Sequence, residues 1–293
     1  MARRSQPVAG ARWPLWLAAL LGLLFALVLF APASWLAGPA ARLSQQRVLL
    51  AQAQGTWHDG SAQVVLSGGA QSRGATLVPG RVRWRLGLAG LWHGRVELVL
   101  HWPALAEAPL RLRVQLGIGS WSVQQLQAAP QDITTAMPAS PPAAAAAANA
   151  ADASAWQARL PADLLAGLGT PWNTLALQGR IVLSLQQARL ESTAGRLRLN
   201  GQIQVHADDM RSRLSTVAPL GSYMLRINGD GANAGIVLST RTGPLILDGR
   251  GVWNGQRLQF DGTARAGAGQ EQALANLLSL LGQRQGDHVR ISL

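Results

Sequence analysis

The sequence predicts a mainly β protein: an N-terminal single transmembrane helix, then an extended, curved antiparallel β-sheet meander with one or two short helices. Three observations predict it. Apolar and polar residues alternate with period 2 over most of the chain beyond residue 45. The spacers between these runs are short, which leaves no room for the crossover helices of a parallel sheet. Only one uncharged apolar run reaches spanning length, and it lies at the N-terminus.

That run extends from Trp13 to Ala33, preceded by Arg3, Arg4 and Arg12. About 20 helical residues cross a ~30 Å hydrocarbon core. Trp13, Trp16 and Trp35 sit near the ends, where interfacial aromatics belong, and Leu24 and Phe30 lie within the run. The three arginines predict a cytoplasmic N-terminus (1–12), an anchor over 13–35 and a body on the far side. Ala31-Pro32-Ala33 has the small residues of a signal-peptide cleavage site, but the apolar run is longer than a typical signal core, which favours an uncleaved anchor.

The body reads as strands. Arg81, Arg83 and Arg85 alternate with Val82, Trp84 and Leu86; Arg95, Glu97 and His101 alternate with Val96, Leu98, Leu100 and Trp102. Arg111, Arg113 and Gln115 alternate with Leu110, Leu112, Val114 and Leu116. Further strands are predicted over 63–66, 175–185, 196–206, 223–228, 235–240, 244–252, 257–263 and 288–293. One face is apolar and the other polar, as in an antiparallel sheet with one wet side. Turn residues punctuate the runs at Asp59-Gly60, Asn228-Gly229-Asp230-Gly231 and Asn254-Gly255.

Helices are few. A short one is predicted over 161–168, with Pro161 in its first turn and Gly169 ending it. A stronger one covers 271–281, where Leu274, Leu277, Leu278 and Leu281 share a face, Glu271 opens it and Gly282 follows. This helix is expected to cover one end of the sheet. An Ala/Pro stretch over 138–155 lacks an apolar face and reads as a linker or surface loop. It divides the body into a proximal β part (44–137) and a distal β part (156–293), either as two domains or as one sheet with an insertion. A loose echo relates Gly55-Thr56-Trp57-His58-Asp59-Gly60, Gly90-Leu91-Trp92-His93-Gly94 and Gly251-Val252-Trp253-Asn254-Gly255. Each reads as a Trp packed over a hairpin whose turn needs glycine at positive φ, with Gly55, Trp57, Gly60, Trp253 and Gly255 as the key positions.

Catalytic constellations are scarce. The chain has no Cys, which excludes disulfides, thiolate metal sites and a Cys nucleophile. It has no phosphate loop, no nucleophile elbow and no H-E-x-x-H. The most metal-like group is His206-Ala207-Asp208-Asp209, in which His206 and Asp208 would share one face of a strand without a local third ligand. Adjacent polar residues at a strand end are the favoured, plainer reading of it, and turn chemistry explains His58 with Asp59 equally well. His93 and His101 read as solvated residues at strand ends. The reading is a non-enzyme with no catalytic, metal or cofactor-binding residues.

Charge supplies the other candidate. All 26 basic residues are Arg against 14 acids, a net charge of +12. Arg81/Arg83/Arg85, Arg111/Arg113 and Arg196/Arg198 are i, i+2 sets that put guanidinium groups on one strand face each. Such a face suits an acidic protein surface, phospholipid headgroups or lipopolysaccharide phosphate. An ordinary polar face written only with Arg is the plainer alternative. Nucleic acid is excluded as a partner by the predicted position of the body and by the lack of interleaved exposed aromatics.

The chain resembles the type II secretion system protein N (GspN) family over most of its length, most strongly at both ends. The resemblance lies in the anchor ending Pro32-Ala33-Ser34-Trp35-Leu36-Ala37, then Gln54-Gly55-Thr56-Trp57-His58-Asp59-Gly60-Ser61-Ala62, and Gly80-Arg81-Val82-Arg83-Trp84-Arg85-Leu86. Leu160-Pro161-Ala162-Asp163-Leu164-Leu165 precedes Leu177-Gln178-Gly179-Arg180; Leu220-Gly221-Ser222-Tyr223 precedes Gly243-Pro244-Leu245-Ile246-Leu247-Asp248-Gly249; the Leu-rich helix ends Leu280-Leu281-Gly282. The order and spacing of these segments carry the resemblance, not any one motif. It implies a single-pass bacterial inner-membrane protein with a periplasmic body, no catalytic activity, and partners among the inner-membrane platform components, with the outer-membrane secretin as a further candidate. The rival expectation is an AsmA-like lipid- or lipopolysaccharide-handling protein with Val96, Leu98, Leu100, Trp102 and Leu110 to Leu116 lining an apolar groove. The same stripe is plain core if other elements cover it.

Overall fold

The computed structural model describes residues 13–70, 72, 74–126, 155–170, 172–286 and 288–292. The alternating runs become strands, in order β1 (Val48–Gly55), β2 (Asp59–Ser67), β3 (Ala75–Leu77), β4 (Val82–Gly87), β5 (Arg95–His101), β6 (Leu110–Gly117), β7 (Ser120–Leu126) and β8 (Trp156–Pro161). The distal strands are β9 (Leu177–Thr193), β10 (Arg196–Ser212), β11 (Gly221–Asp230), β12 (Ala234–Thr242), β13 (Leu245–Trp253), β14 (Leu258–Ala266), β15 (Gln283–Gln285) and β16 (His288–Ser292). Helices are α1 (Trp13–Phe30), α2 (Ala37–Leu43), the single turn α3 (Trp172–Leu175) and α4 (Glu271–Leu281).

These strands form one antiparallel sheet in the order β1-β2-β4-β5-β6-β7-β9-β10-β11-β12-β13-β14-β16-β15. Among the described residues β1 and β15 do not pair, so the sheet is open. Two strands lie off this path. Short β3 and β4 run in line along one side of β2. In the same way β7 pairs with 189–193 of β9, and β8 pairs with 180–185. The Ala/Pro stretch thus falls between two collinear pieces of strand, and hydrogen bonding runs from the proximal to the distal strands through β9. That stretch lies outside the described residues apart from Ala155.

Gln125 closes the gap between β7 and β8. Its buried side chain donates from Nε2 to the Leu185 carbonyl at 3.2 Å and accepts at Oε1 from the Ala188 amide at 3.3 Å. The β9–β10 register slips here, with Gln187 at φ +49°. A second slip lies at Gly179 and Asp209 and continues into β11 and β12. Aligned bulges bend and twist a sheet. The Ala162–Leu168 3₁₀ turn touches β2, β3 and β9 together. Five strand steps of about 4.8 Å separate β2 from β9 in a flat sheet, too far for one such turn, so the sheet curls.

Two cores form on the apolar face. The proximal one gathers Ala62, Val64, Val82, Trp84, Leu105 and Leu164, with Ala33 fully buried in it. The distal one gathers Met210, Leu220, Tyr223 and Leu245 beneath Leu274 and Leu277 of α4. The distal core lies toward the end of the strands that α4 covers, whereas the proximal core is centred mid-strand and reaches the β1–β2 turn through Trp84. The helix expected over 161–168 is instead a 3₁₀ turn, with Pro161 still extended at the end of β8. Leu164 of that turn enters the proximal core and Ala162 the distal one.

Helix α1 has 18 residues, which rise about 27 Å. Among the described residues no helix is long and apolar enough to cross a membrane. The side chains of Trp16, Leu17, Leu20, Leu21, Leu23 and Phe30 are exposed. Those of Trp13 and Leu24, and the whole of Arg3, Arg4 and Arg12, lie outside what is described.

Candidate functional site

Chain exit from α1 is fixed to the β1–β2 turn. The Trp57 amide donates to the Ala31 carbonyl at 3.0 Å, and Pro32 forms an isolated antiparallel bridge with Thr56. The turn itself is tight: the Thr56 amide donates to the Asp59 carbonyl at 2.9 Å, and Gly55 takes φ +85°, a region that favours glycine. Gly60 leaves room for Trp84, whose ring would lie 2.7 Å from a Cβ there and whose Nε1 donates to the Trp57 carbonyl at 3.0 Å. At the β13–β14 turn the Asn254 side chain accepts from the Gln256 and Arg257 amides at 3.1 and 2.8 Å. Gly255 there sits at φ +84° against the Leu197 carbonyl, and Trp253 is half-buried.

The third member of the Trp echo differs. Leu88–His93 is a 3₁₀ turn between β4 and β5, and Trp92 is 94% exposed instead of packed over a hairpin. The six residues of this turn exceed a two-residue hairpin loop, so the chain coils and turns the indole outward.

Outward positions of neighbouring strands carry the arginine sets. Register places Asp59, Arg85, Val99 and Arg111 in one row and Glu97, Arg113, Gln124 and Arg189 in the next. A third row runs Arg95, Gln115, Ser122, Glu191, Arg198. Residues paired across antiparallel strands point to the same face. Arg85 pairs with Asp59 at 3.2 Å, Arg113 with Glu97 at 3.0 Å, and Arg81 donates to the Gln52 carbonyl at 2.6 Å. Arg83, Arg111, Arg196 and Arg198 are exposed and make no ion pair among the described residues. Arg189 Nε lies 2.5 Å from Glu191 Oε1 as an ion pair without hydrogen-bond geometry. A shallow depression of about 360 Å³ beside them is lined by Arg95, Gln115, Ser122, Arg189 and Glu191.

His206 and Asp208 do share a strand face, within β10 and not at its end. Asp208 lies opposite Arg180, His206 contacts Gln204 and Arg241 at 3.4 Å each, and the Asp209 amide donates to Ser222 Oγ at 3.1 Å. Among the described residues no group of three His, Cys, Asp or Glu could hold a metal ion.

Of the apolar stripe, Leu98, Leu100 and Trp102 pack on the proximal core. Val96, Val114, Val123, Leu190 and Leu199 form a half-buried rib that belongs to neither core. So do Leu185, Ile203, Ile227 and Ile236. Beyond the first rib, at the strand ends, Leu116 and Trp121 are exposed. Sequence reading did not single out Leu91 or Ile118, both exposed at the same strand ends. The signal was there in Gly117-Ile118-Gly119, a bulky apolar residue isolated at the tip of a turn.

The described residues thus form an open antiparallel sheet with a basic outer face and partly bare apolar ribs. The model of the family described as type II secretion system (T2SS), protein N, matches residues 46–292, and the chain belongs to that family. No curated protein and no solved structure matches it.

Proposed function

We propose that this component of type II secretion is accessory and non-catalytic, tethered by α1 in the bacterial inner membrane with its body in the periplasm, and acts through protein contacts there. Family membership supports the secretion role. The exposed apolar side chains of α1 support the tether: Trp16, Leu17, Leu20, Leu21, Leu23 and Phe30 are not covered by the body and are best accommodated in an apolar medium. The observation that carries the contact reading is the outward arginine face, where Arg83, Arg111, Arg196 and Arg198 have no carboxylate partner among the described residues and offer planar donor sets to an acidic surface. Inner-membrane platform proteins are the first partners expected, and the secretin is a second.

Cross-linked, C-terminally tagged protein recovered from whole membranes, with proteins and lipids identified together, tests this. Recovery of platform or secretin proteins, reduced when Arg83 and Arg111 are both changed to Gln, supports it. Stoichiometric lipid without those proteins sinks it and favours the second reading, a lipid-holding groove. The half-buried ribs at Val96–Val114–Val123–Leu190–Leu199 favour that second reading, because α4 covers neither them nor the rib through Leu185 and Ile203.

A further inference from the structure

One end of the strands is bare, and it is the end at which α1 joins the body. The turns at this end are β1–β2 (56–58), Leu88–His93, Gly117–Ser120, β9–β10 (194–195), β11–β12 (231–233) and β13–β14 (254–257). Ala31 is tied to Trp57 in the first of them, and the His58 carbonyl accepts from the Leu86 amide at 2.7 Å, just before Leu88–His93 begins. Leu116 and Gly94 then join that segment to the β6–β7 turn, amide to carbonyl at 2.8 Å. From β2 to β7 is four strand steps, about 20 Å. Along this short line Leu91, Trp92, Leu116 and Ile118 are all exposed, Trp92 at 94% and Ile118 completely.

We propose that this edge rests in the headgroup–acyl boundary of the phospholipid bilayer that α1 enters, with Leu91, Trp92 and Ile118 inserted. The proposal rests on the reading of α1 as the anchor and adds a second membrane contact to it. Three observations favour lipid as the occupant. The apolar helix α1 ends on the same row of turns. A tryptophan flanked by apolar residues at a loop tip suits the interface. The flanking charges are basic: Arg95 and Arg257 stand at these strand ends and would meet anionic headgroups. The carboxylates nearby are already engaged, Asp59 with Arg85 and Asp230 with the amides of its own turn at 3.1 and 2.7 Å. Body and membrane would then be held at fixed orientation, with the arginine face standing away from the lipid plane.

The chain has no cysteine, so a single introduced thiol reports one position. Full-length protein carrying a nitroxide at Trp92→Cys, Ile118→Cys, Trp16→Cys or Arg265→Cys is reconstituted into vesicles of phosphatidylethanolamine and phosphatidylglycerol, and its accessibility to oxygen and to an aqueous nickel chelate is measured. Arg265, at the opposite strand end, is the aqueous control. Loss of nickel accessibility at Trp92 and Ile118, with Arg265 fully accessible, is the expected result. Protection at Trp16 with Trp92 and Ile118 both fully accessible overturns the edge contact and leaves the anchor. Full access at Trp16 as well overturns the anchor reading, and the edge contact falls with it. Access in vesicles but protection in native membranes assigns the edge to a protein partner and also overturns the proposal.

Discussion

The two ends of the strands are built differently. At one end the Ala162–Leu168 turn and α4 plug the sheet, and Leu164, Leu274 and Leu277 are buried there. At the other end the turns are linked to one another and to the residues after α1, but no such plug covers them, and Trp92 and Ile118 face outward with no described element over them. An open sheet curled by bulges has two such ends to manage, and this chain closes only one. The difference teaches where stability and contact reside: burial supplies the fold at the plugged end, and the bare end is free to meet something else.

The largest expected effect is therefore at the plugged end. Leu274→Ala removes a fully buried side chain and should cost about 2–5 kcal/mol through lost transfer energy and a cavity. Denaturant unfolding of the protein in detergent would measure it. A loss below ~1 kcal/mol would mean that α4 is an ornament on the sheet.

The bare end is not uniformly soft, and Gly60→Ala sharpens the comparison. A Cβ there would lie 2.7 Å from both the Thr56 carbonyl and the Trp84 ring. Trp84 belongs to the proximal core and cannot swing aside, so about 1–3 kcal/mol should be lost as overpacking strain, read from the same unfolding curves. The corner that receives α1 is thus rigid, while the next turns along the edge are exposed.

Gln125→Ala tests the seam between proximal and distal strands. It strips the Leu185 carbonyl and the Ala188 amide of a buried partner, and a loss of about 1–3 kcal/mol is expected. Two separate unfolding transitions in the variant, against one in the parent, would show that this side chain couples the halves.

Alkaline pH gives a smaller, cleaner effect at the plugged end. Burial pushes the Tyr223 phenol well above its ordinary range, and its hydroxyl donates to the Leu245 carbonyl at 3.0 Å. The folded protein keeps the proton that the unfolded chain loses near pH ~10, so stability should fall as pH rises past about 10. With one Tyr, no Cys and only Arg as basic side chains apart from His, little else titrates there. Tyr223→Phe should flatten the fall. Smallest of all, Ile118→Ser should leave stability within about 0.5 kcal/mol, because the side chain is fully exposed.

Much of the sheet was legible because half-buried strands alternate. β4, β5 and β6 carry that pattern plainly. β1 was missed: Val-Leu-Leu-Ala-Gln-Ala-Gln-Gly has no steady alternation, and a register slip interrupts it between Ala51 and Gln54. β9 and β10 were read too short because each crosses a bulge, where the side-chain alternation changes phase. The arginine sets were legible as strand faces, but their convergence was not, since pairing of β6 with β9 through β7 is set by long-range topology. The exposed edge was the least legible: Trp92 looks like a packed hairpin residue until the length of its turn is known.

One measurement addresses the division of labour directly. A photoreactive amino acid is placed at Arg111, on the outward face, and separately at Trp92, on the bare edge, in protein expressed in native membranes. The account predicts adducts with secretion-system proteins from position 111 and adducts with phospholipid from position 92. Lipid at 111 and protein at 92, or the same partner from both, would contradict it.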